Sequence, residues 1–354
     1  MTVGTPIERI WPAPVTGALT DAQLTALYGR TDRPHLRVNF VASADGAVTL
    51  DGYSAGLSGE PDKRVFGLLR MLCDGLVVAA GTLRHEGYRA VRLSPDRRAW
   101  RREQGLAEFP TLVVVSGSLD LDPAQAAFAD APVRPIVLTH ADAVPPPGLT
   151  DVADVVRCGP GRVDGSGPVD GTGRVDGSGP VDSTDRAHGG QRVDGGQRVH
   201  GGQRVHGGQR VDGTDRTDGT GPVDGTDGAD PGDGTGPVDR AGRVDGAGRV
   251  DGSGRVDLVS GLAELRRRGL GQLLCEGGPH LFGALTAADL VDELCLTVAP
   301  LLAGAGPGRI TAGDTSAPRH LPLRHVLAAA DGVLMLRYAR AAAEAPPAGA
   351  APAA

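Results

Sequence analysis

From residue 159 to residue 256 the chain repeats a unit of roughly six residues: GRVDGS, GPVDGT, GRVDGS, then variants such as QRVHGG. Valine is nearly the only apolar side chain there. Such a stretch cannot bury enough surface to offset its ordering entropy, so disorder is expected, and any core must come from the flanks. A β-helix or a calcium solenoid is the short-period alternative, but the nonapeptide calcium pattern does not fit this period. Read together, the flanks DVVRCGPGRVD and GRVDLVSGLAELRRRG give VVRCGPGRVDLVSGLAELRRRG, an ordinary strand, turn and helix. The turn GRVD therefore reads as expanded by tandem duplication, with the insert a passenger. Its His188, His200 and His206 read as solvated loop residues rather than metal ligands, and no metal site is expected anywhere in the chain. The chain divides into an extension (1–33), a discontinuous domain (34–159 with 257–340), the disordered insert (160–256) and a disordered Ala/Pro tail (341–354).

The flanks carry the periodicities of an α/β domain. In the extension, Thr20-Asp21 can cap a short helix through Tyr28, with Gly29 ending it. His35–Ser43 reads as a strand, Ala44-Asp45-Gly46 as a turn, and Ala47–Leu57 as irregular. Pro61 opens a helix through about Cys73, with Val65, Leu68, Leu69 and Leu72 on its apolar side. Gly75–Ala80 is a continuous apolar run, as in a strand covered on both faces. Leu112–Val115, Pro135–Thr139 and Val152–Arg157 read as further strands, and residues 326–338 as a terminal hairpin around Asp331-Gly332. Strands alternating with helices predict a largely parallel sheet.

Residues 271–304 carry the clearest candidate for chemistry. The order is strand (Leu273–Cys275), Glu276, Gly277-Gly278, Pro279, a helix with Leu281, Leu285 and Leu290, then a strand over Leu294–Leu301. Asp292-Glu293 starts that second strand. This is a βαβ unit with a glycine turn at the helix start. Glycine permits close backbone approach, proline suits the first helical turn, and the free N–H groups there form an anion site. A diphosphate fits, although Gly-Gly at such a turn also serves as a plain tight turn. Glu276, a carboxylate between an apolar strand and a glycine pair, is costly to bury without a partner or a purpose.

Composition narrows the function. A formal net charge of -7 gives no support for nucleic-acid binding. No apolar run approaches the roughly 20 residues of a bilayer span, and MTVGTPIERIWPAP lacks the pattern of a signal peptide. Cys73, Cys158, Cys275 and Cys295 are scattered without a CxxC pair, as expected of buried thiols in a reducing cytoplasm.

Four stretches in order carry a family likeness: RPHLRVNFVASADG (33–46), LSGEPDKRVFGLLR (57–70), GLVVAAGTLRHEGY (75–88) and CEGGPHLFGALTAADLVDELCLTVAPLLAG (275–304). Together they resemble the riboflavin-biosynthesis pyrimidine reductases, either the reductase half of the bifunctional deaminase-reductase or its stand-alone counterparts. The resemblance implies a dihydrofolate-reductase-like fold with a mostly parallel sheet flanked by helices, here interrupted by the long low-complexity insert. It implies NADPH as cofactor, a homodimer, and reduction of the ribosyl group of a 5-amino-6-ribosylaminopyrimidine 5'-phosphate to ribityl. Another NADPH reductase on this fold, or a non-catalytic nucleotide-binding protein, is the alternative.

By the same resemblance, Glu276, Ser54, Arg70 and Asn39 fall at substrate positions, with Arg70 suited to the substrate phosphate. Thr82, Glu86 and Ser116 fall where the family touches NADPH, and Gly277, Gly278, Pro279, His280, Leu281, Phe282, Gly283 and Ala284 surround the cofactor diphosphate. Gly56 stands where many members have a tryptophan, and Asn39 where bifunctional bacterial members often carry lysine. Read without the family, Arg70 is equally a solvated helix residue, Thr82 a cap and Ser116 a turn residue. Asp45 is a turn residue or an acid catalyst, and no other proton donor stands out. The deaminase zinc signature, H-x-E followed by P-C-x-x-C, is absent.

Overall fold

The computed structural model describes residues 5–15, 17–159, 255–306 and 308–341. The insert and tail expectations fall almost wholly on residues 160–254 and 342–354, outside the described residues. In chain order the elements before the insert are β1 (Ile7–Trp11), α1 (Asp21–Tyr28), β2 (His35–Ser43), α2 (Glu60–Leu72), β3 (Gly75–Ala79), α3 (Ala80–His85), α4 (Pro95–Glu103), β4 (Thr111–Val115), α5 (Ala126–Ala129), β5 (Ile136–His140), α6 (Leu149–Val152) and β6 (Asp154–Cys158). After it come α7 (Leu258–Arg267), β7 (Gln272–Cys275), α8 (Pro279–Ala287), β8 (Glu293–Ala299), β9 (Leu323–Ala329) and β10 (Leu334–Ala339).

The strands form one sheet in the order β1-β9-β10-β8-β2-β7-β3-β4-β5-β6. From β8 to β6 every pairing is parallel, and β10, β9 and β1 add an antiparallel edge. The chain winds outward from β3 to β6, then returns after the insert to lay β7 between β2 and β3. That reversal makes the carboxyl ends of the central strands a topological switch point, the place where open α/β sheets bind ligands in a crevice.

Strand alternation divides the core into two layers. Leu76, Val78, Leu112, Val114 and Leu274 face α2, which contributes Val65, Leu68, Leu69 and Leu72. Val77, Val113, Leu273, Cys275, Leu36 and Val38 face the other way, onto Leu262 and Leu265 of α7 and Leu281, Phe282 and Leu285 of α8. The helix α2 is pinned at both ends. Asp62 in its first turn accepts from Thr297 of β8 at 2.6 Å. Beyond its last turn, the Arg101 guanidinium donates to the Met71 and Cys73 carbonyls, and Arg30 to Leu72, as suits the negative end of a helix.

Two expectations change. The extension is not separate: Ile7–Trp11 is the outer strand of the sheet, paired with β9, and Ile7 is fully buried. IERIW is too short and flanked too closely by prolines for its pattern to stand out. Within the stretch read as irregular, Leu50 and Tyr53 exchange backbone hydrogen bonds of 2.9 Å across Asp51 and Gly52, both at positive φ, which makes a tight hairpin turn. The helix over Asp21–Tyr28 forms as expected, with Thr20 and Gln23 closing a capping box.

The insert leaves and returns at one place. A Cβ built on Gly159 would lie 3.4 Å from the Cβ of Asp257, and one on Gly261 would lie 3.2 Å from Cys158 Sγ. Asp257 caps α7 by accepting from the Val259 and Ser260 amides at 3.0 and 3.1 Å. All four cysteines are free and buried, and burial pushes the Cys73 and Cys275 thiols up to about 12.

Candidate active site

Parallel pairing sets the register of the crevice. Val38 of β2 and Val77 of β3 both stand opposite Cys275 of β7, so Glu276 follows just past the end of β7, with Asn39 the next residue along β2. Glu276 is buried and its amide donates to the Val77 carbonyl at 3.0 Å. Its carboxylate takes both forks of Arg70, Nε and Nη2, at 2.6 Å each. The Tyr88 hydroxyl adds a third donor at 2.9 Å.

This answers how the carboxylate can be buried: it is paired and hydrogen-bonded. Arg70 is therefore not a free surface residue, nor wholly a phosphate ligand. Its guanidinium lies 4.2 Å from the Phe66 ring centroid and has a side chain 28% exposed, with Nη1 left over from the fork. Burial would lower its pKa, but the Glu276 charge outweighs this and raises it. Burial, then Glu276, push the Tyr88 phenol up. Asn39 is buried, and its amide makes no hydrogen bond among the described residues. One lone pair of Glu276, one fork of Arg70 and the Asn39 amide thus remain for a polar ligand.

The second half of the crevice is the turn into α8. The Gly277 carbonyl accepts from the Ala79 amide at 2.8 Å, and the Gly277-Gly278 peptide is cis. No side chain caps α8; its first internal bond runs from Phe282 N–H to the Gly278 carbonyl at 3.0 Å, which leaves the His280 and Leu281 amides without helical acceptors. A Cβ on Gly278 would lie 2.6 Å from Thr82 Oγ1, so glycine is required there by the threonine itself. The Thr82 hydroxyl makes no hydrogen bond among the described residues. Two amides and a hydroxyl converging on a glycine turn suit the diphosphate of a dinucleotide.

The remaining residues of that run are placed differently. Leu281 and Phe282 point into the core, and Phe282 stacks on Phe40 at 5.2 Å, so any contact they make with a ligand is through backbone. At Gly283 a Cβ would overlap the Ala312 carbonyl oxygen, and Ala312 N–H donates to Pro279 at 3.0 Å. The segment around Ala312 thus crosses α8 where glycine makes room, and Ala284 packs partly against the core. Gly283 is needed for that crossing.

Just past α3, one turn beyond Thr82, Glu86 accepts from the Ser54 amide at 3.1 Å and ties that loop to the helix end. Ser116 is buried at the end of β4, and its hydroxyl accepts from the Leu119 amide at 3.0 Å, as a turn residue does. Asp45 accepts from the Ser43 hydroxyl and the Ala303 and Gly304 amides, the latter two at 3.2 and 2.8 Å. These bonds, Ser43 first, hold its carboxyl at about 2. A carboxylate so held is a loop clamp and a poor proton donor near neutral pH, against its reading as an acid catalyst. Tyr88 closes the stretch GLVVAAGTLRHEGY just beyond the short helix, and sequence reasoning assigns it no role. Among the described residues no cluster of metal-ligating side chains occurs, and no helix is long and apolar enough to cross a membrane.

Comparison with known proteins agrees with this architecture. The family described as the RibD C-terminal domain matches residues 34–164 and 237–335. A solved pyrimidine reductase-like protein from Corynebacterium diphtheriae shares 19% identity at a TM-score of 0.58, covering 91% of this chain and 98% of its own. RibD of Acinetobacter baumannii shares 12% identity at a TM-score of 0.50, covering 87% of this chain but only 58% of its own. No curated protein matches in sequence.

Proposed function

This chain belongs to the RibD C-terminal domain family, and from that premise we propose that it is an NADPH-dependent reductase of a ribosylaminopyrimidine 5'-phosphate, converting the ribosyl group to ribityl. The fold is dihydrofolate-reductase-like, and the family is one of pyridine-nucleotide-dependent reductases of riboflavin biosynthesis. The observation that carries the finer reading is the meeting of two different polar sites in one crevice. One is the anion-accepting start of α8 with Thr82; the other is the Glu276–Arg70 pair beside Asn39.

Bound at the first site by the His280 and Leu281 amides and the Thr82 hydroxyl, NADPH would supply a hydride. The chain's own residues would do the rest. Glu276 would accept a substrate hydroxyl or amino donor while held in place by Arg70 and Tyr88. The free fork of Arg70 and the Asn39 amide would orient the phosphorylated chain. Ser54, carried on Glu86, would border the same space. Asp45 is not the proton source, since it is already ionised.

A homodimer is part of this reading. Leu294, Leu296 and Val298 of β8 and Leu334, Leu336 and Tyr338 of β10 are only partly buried on one sheet face, a surface suited to a second copy. Light scattering on the purified protein should give twice the chain mass. The insert is proposed to be a passenger, since its two ends meet. Purified protein should consume NADPH, followed by absorbance, only when the ribosylaminopyrimidine phosphate is added. No consumption with that substrate, despite NADPH binding, would leave a reductase of another substrate or a non-catalytic binder.

A further inference from the structure

Tyr53 stands at the end of the tight turn over Asp51-Gly52, and half of it is exposed. One face of its ring stacks on His85, with centroids 4.7 Å apart and planes 11° from parallel. An exposed tyrosine on a loop is ordinarily mobile, but this one is held from three sides. The Leu50–Tyr53 backbone pair closes the turn, His85 Nε2 donates to the Gly52 carbonyl at 2.8 Å, and the next residue's amide, Ser54, donates to Glu86 at 3.1 Å. The helix α3 supplies Thr82 and, three positions on, His85, which is the spacing of one helix face, and Glu86 is the residue that caps its end. The rigid ring pair therefore borders the same crevice as the glycine turn at Gly278.

We infer that Tyr53, backed by His85, is a stacking platform for a planar heteroaromatic ring of the bound ligand. The ring would belong either to the dinucleotide or to the pyrimidine; the stacking chemistry is the same. Every base presents a π-face, and a fixed aromatic side chain offers it contact at little entropic cost. The position also has a local logic. Gly56, three residues on, has no side chain, and a Cβ there would lie 3.1 Å from Leu50, so the turn itself leaves Tyr53 as the large ring of this loop. The inference rests on the proposed ligand class of the crevice, though not on the reaction.

The test is direct binding by calorimetry, separately with NADPH and with uridine 5'-monophosphate as a pyrimidine ribonucleotide probe. Tyr53→Ala should weaken one of the two by about tenfold, the scale of lost stacking on one ring, while Tyr53→Phe stays within about twofold. The probe that weakens identifies the ring's source. Because Tyr53 is at the surface, both variants should melt as the wild type does. In Tyr53→Trp, the new indole fluorescence should be quenched by the same probe, which reads stacking without turnover. If Tyr53→Ala binds both probes as tightly as wild type, or Tyr53→Trp is not quenched by a probe that binds, the platform is refuted while the cofactor reading stands. If wild-type protein binds neither probe, the cofactor reading falls with it.

Discussion

Glu276 and Gly278 stand two residues apart and should respond to substitution for different reasons. Glu276→Gln keeps the size of the side chain but removes the charge that Arg70 and Tyr88 converge on. A charged hydrogen bond is typically worth about 1.5–3 kcal/mol, so turnover should fall roughly ten- to a hundredfold. NADPH affinity, which depends on the α8 start, should hardly change; parallel measurement of turnover and cofactor affinity checks both. Full turnover in this variant would make the buried pair purely structural. Gly278→Ala places a methyl 2.6 Å from Thr82 Oγ1, so it should lower the melting temperature by itself. Adding Thr82→Ala should restore the melting temperature, because the clash is with that hydroxyl. NADPH affinity of the double variant should stay below that of Thr82→Ala alone, which loses only the hydroxyl, if the turn cradles a diphosphate. If affinity returns with stability, the glycine serves Thr82 alone.

At the scale of elements, the meeting of β6 and α7 decides what the insert can matter for. Gly159 and Asp257 are neighbours in space, so the closed flanks need no help from the residues between them. Loop closure costs grow only slowly with length, and removing residues 162–254 should leave the melting temperature within a few degrees and NADPH binding intact. Calorimetry and cofactor titration on the shortened chain measure this. Unfolding, or loss of activity in a folded protein, would show that the insert is not a passenger.

Across the whole molecule, one buried charge cluster joins α1 to the antiparallel edge of the sheet. Glu293 receives Arg37, Arg337 at 2.7 Å and His35 at 3.3 Å. Burial pushes the Glu293 carboxyl up, but Arg37 and the other donors outweigh it and hold it well below the usual range. Beside them His325 packs edge-on against Tyr28 at 4.9 Å, and its Nε2 has no hydrogen-bond partner among the described residues. Burial and the nearby Arg337 push its pKa down to about 4. Its unfolded value is about 6.5, so between these values the unfolded chain takes up a proton that the folded one refuses. Stability from this group is complete above pH about 6.5 and falls as pH drops toward 4, by a few kcal/mol, on the order of 3. The Glu293 contribution is lost only at lower pH, within and below the carboxylate range. Melting temperatures measured across this window should fall on acidification, and His325→Phe, which keeps a ring on Tyr28, should flatten the curve. An unchanged slope in that variant would assign the acid sensitivity elsewhere.

The order of elements was legible because local patterns report local structure: β2 spans His35–Ser43 as its alternation indicates, and the Thr20 cap and Gly29 stop bound α1. The Glu276-Gly277-Gly278-Pro279 turn was legible too, since burying an acid and opening a helix both leave marks on adjacent residues. The strand β1 was not, because five residues carry too little pattern and its partner β9 is over 300 positions away. The Asp51-Gly52 turn carries a hairpin signal, but no long strands flank it to make that signal decisive. The partners of Glu276 lie 206 and 188 positions away in sequence, and only the return of β7 between β2 and β3 brings them together. Likewise, Gly278 and Gly283 look alike in the sequence, yet one makes room for Thr82 and the other for Ala312. Local chemistry and periodicity thus specified the elements and the turn; the long-range pairings that choose each side chain's neighbours arise only when the sheet is assembled.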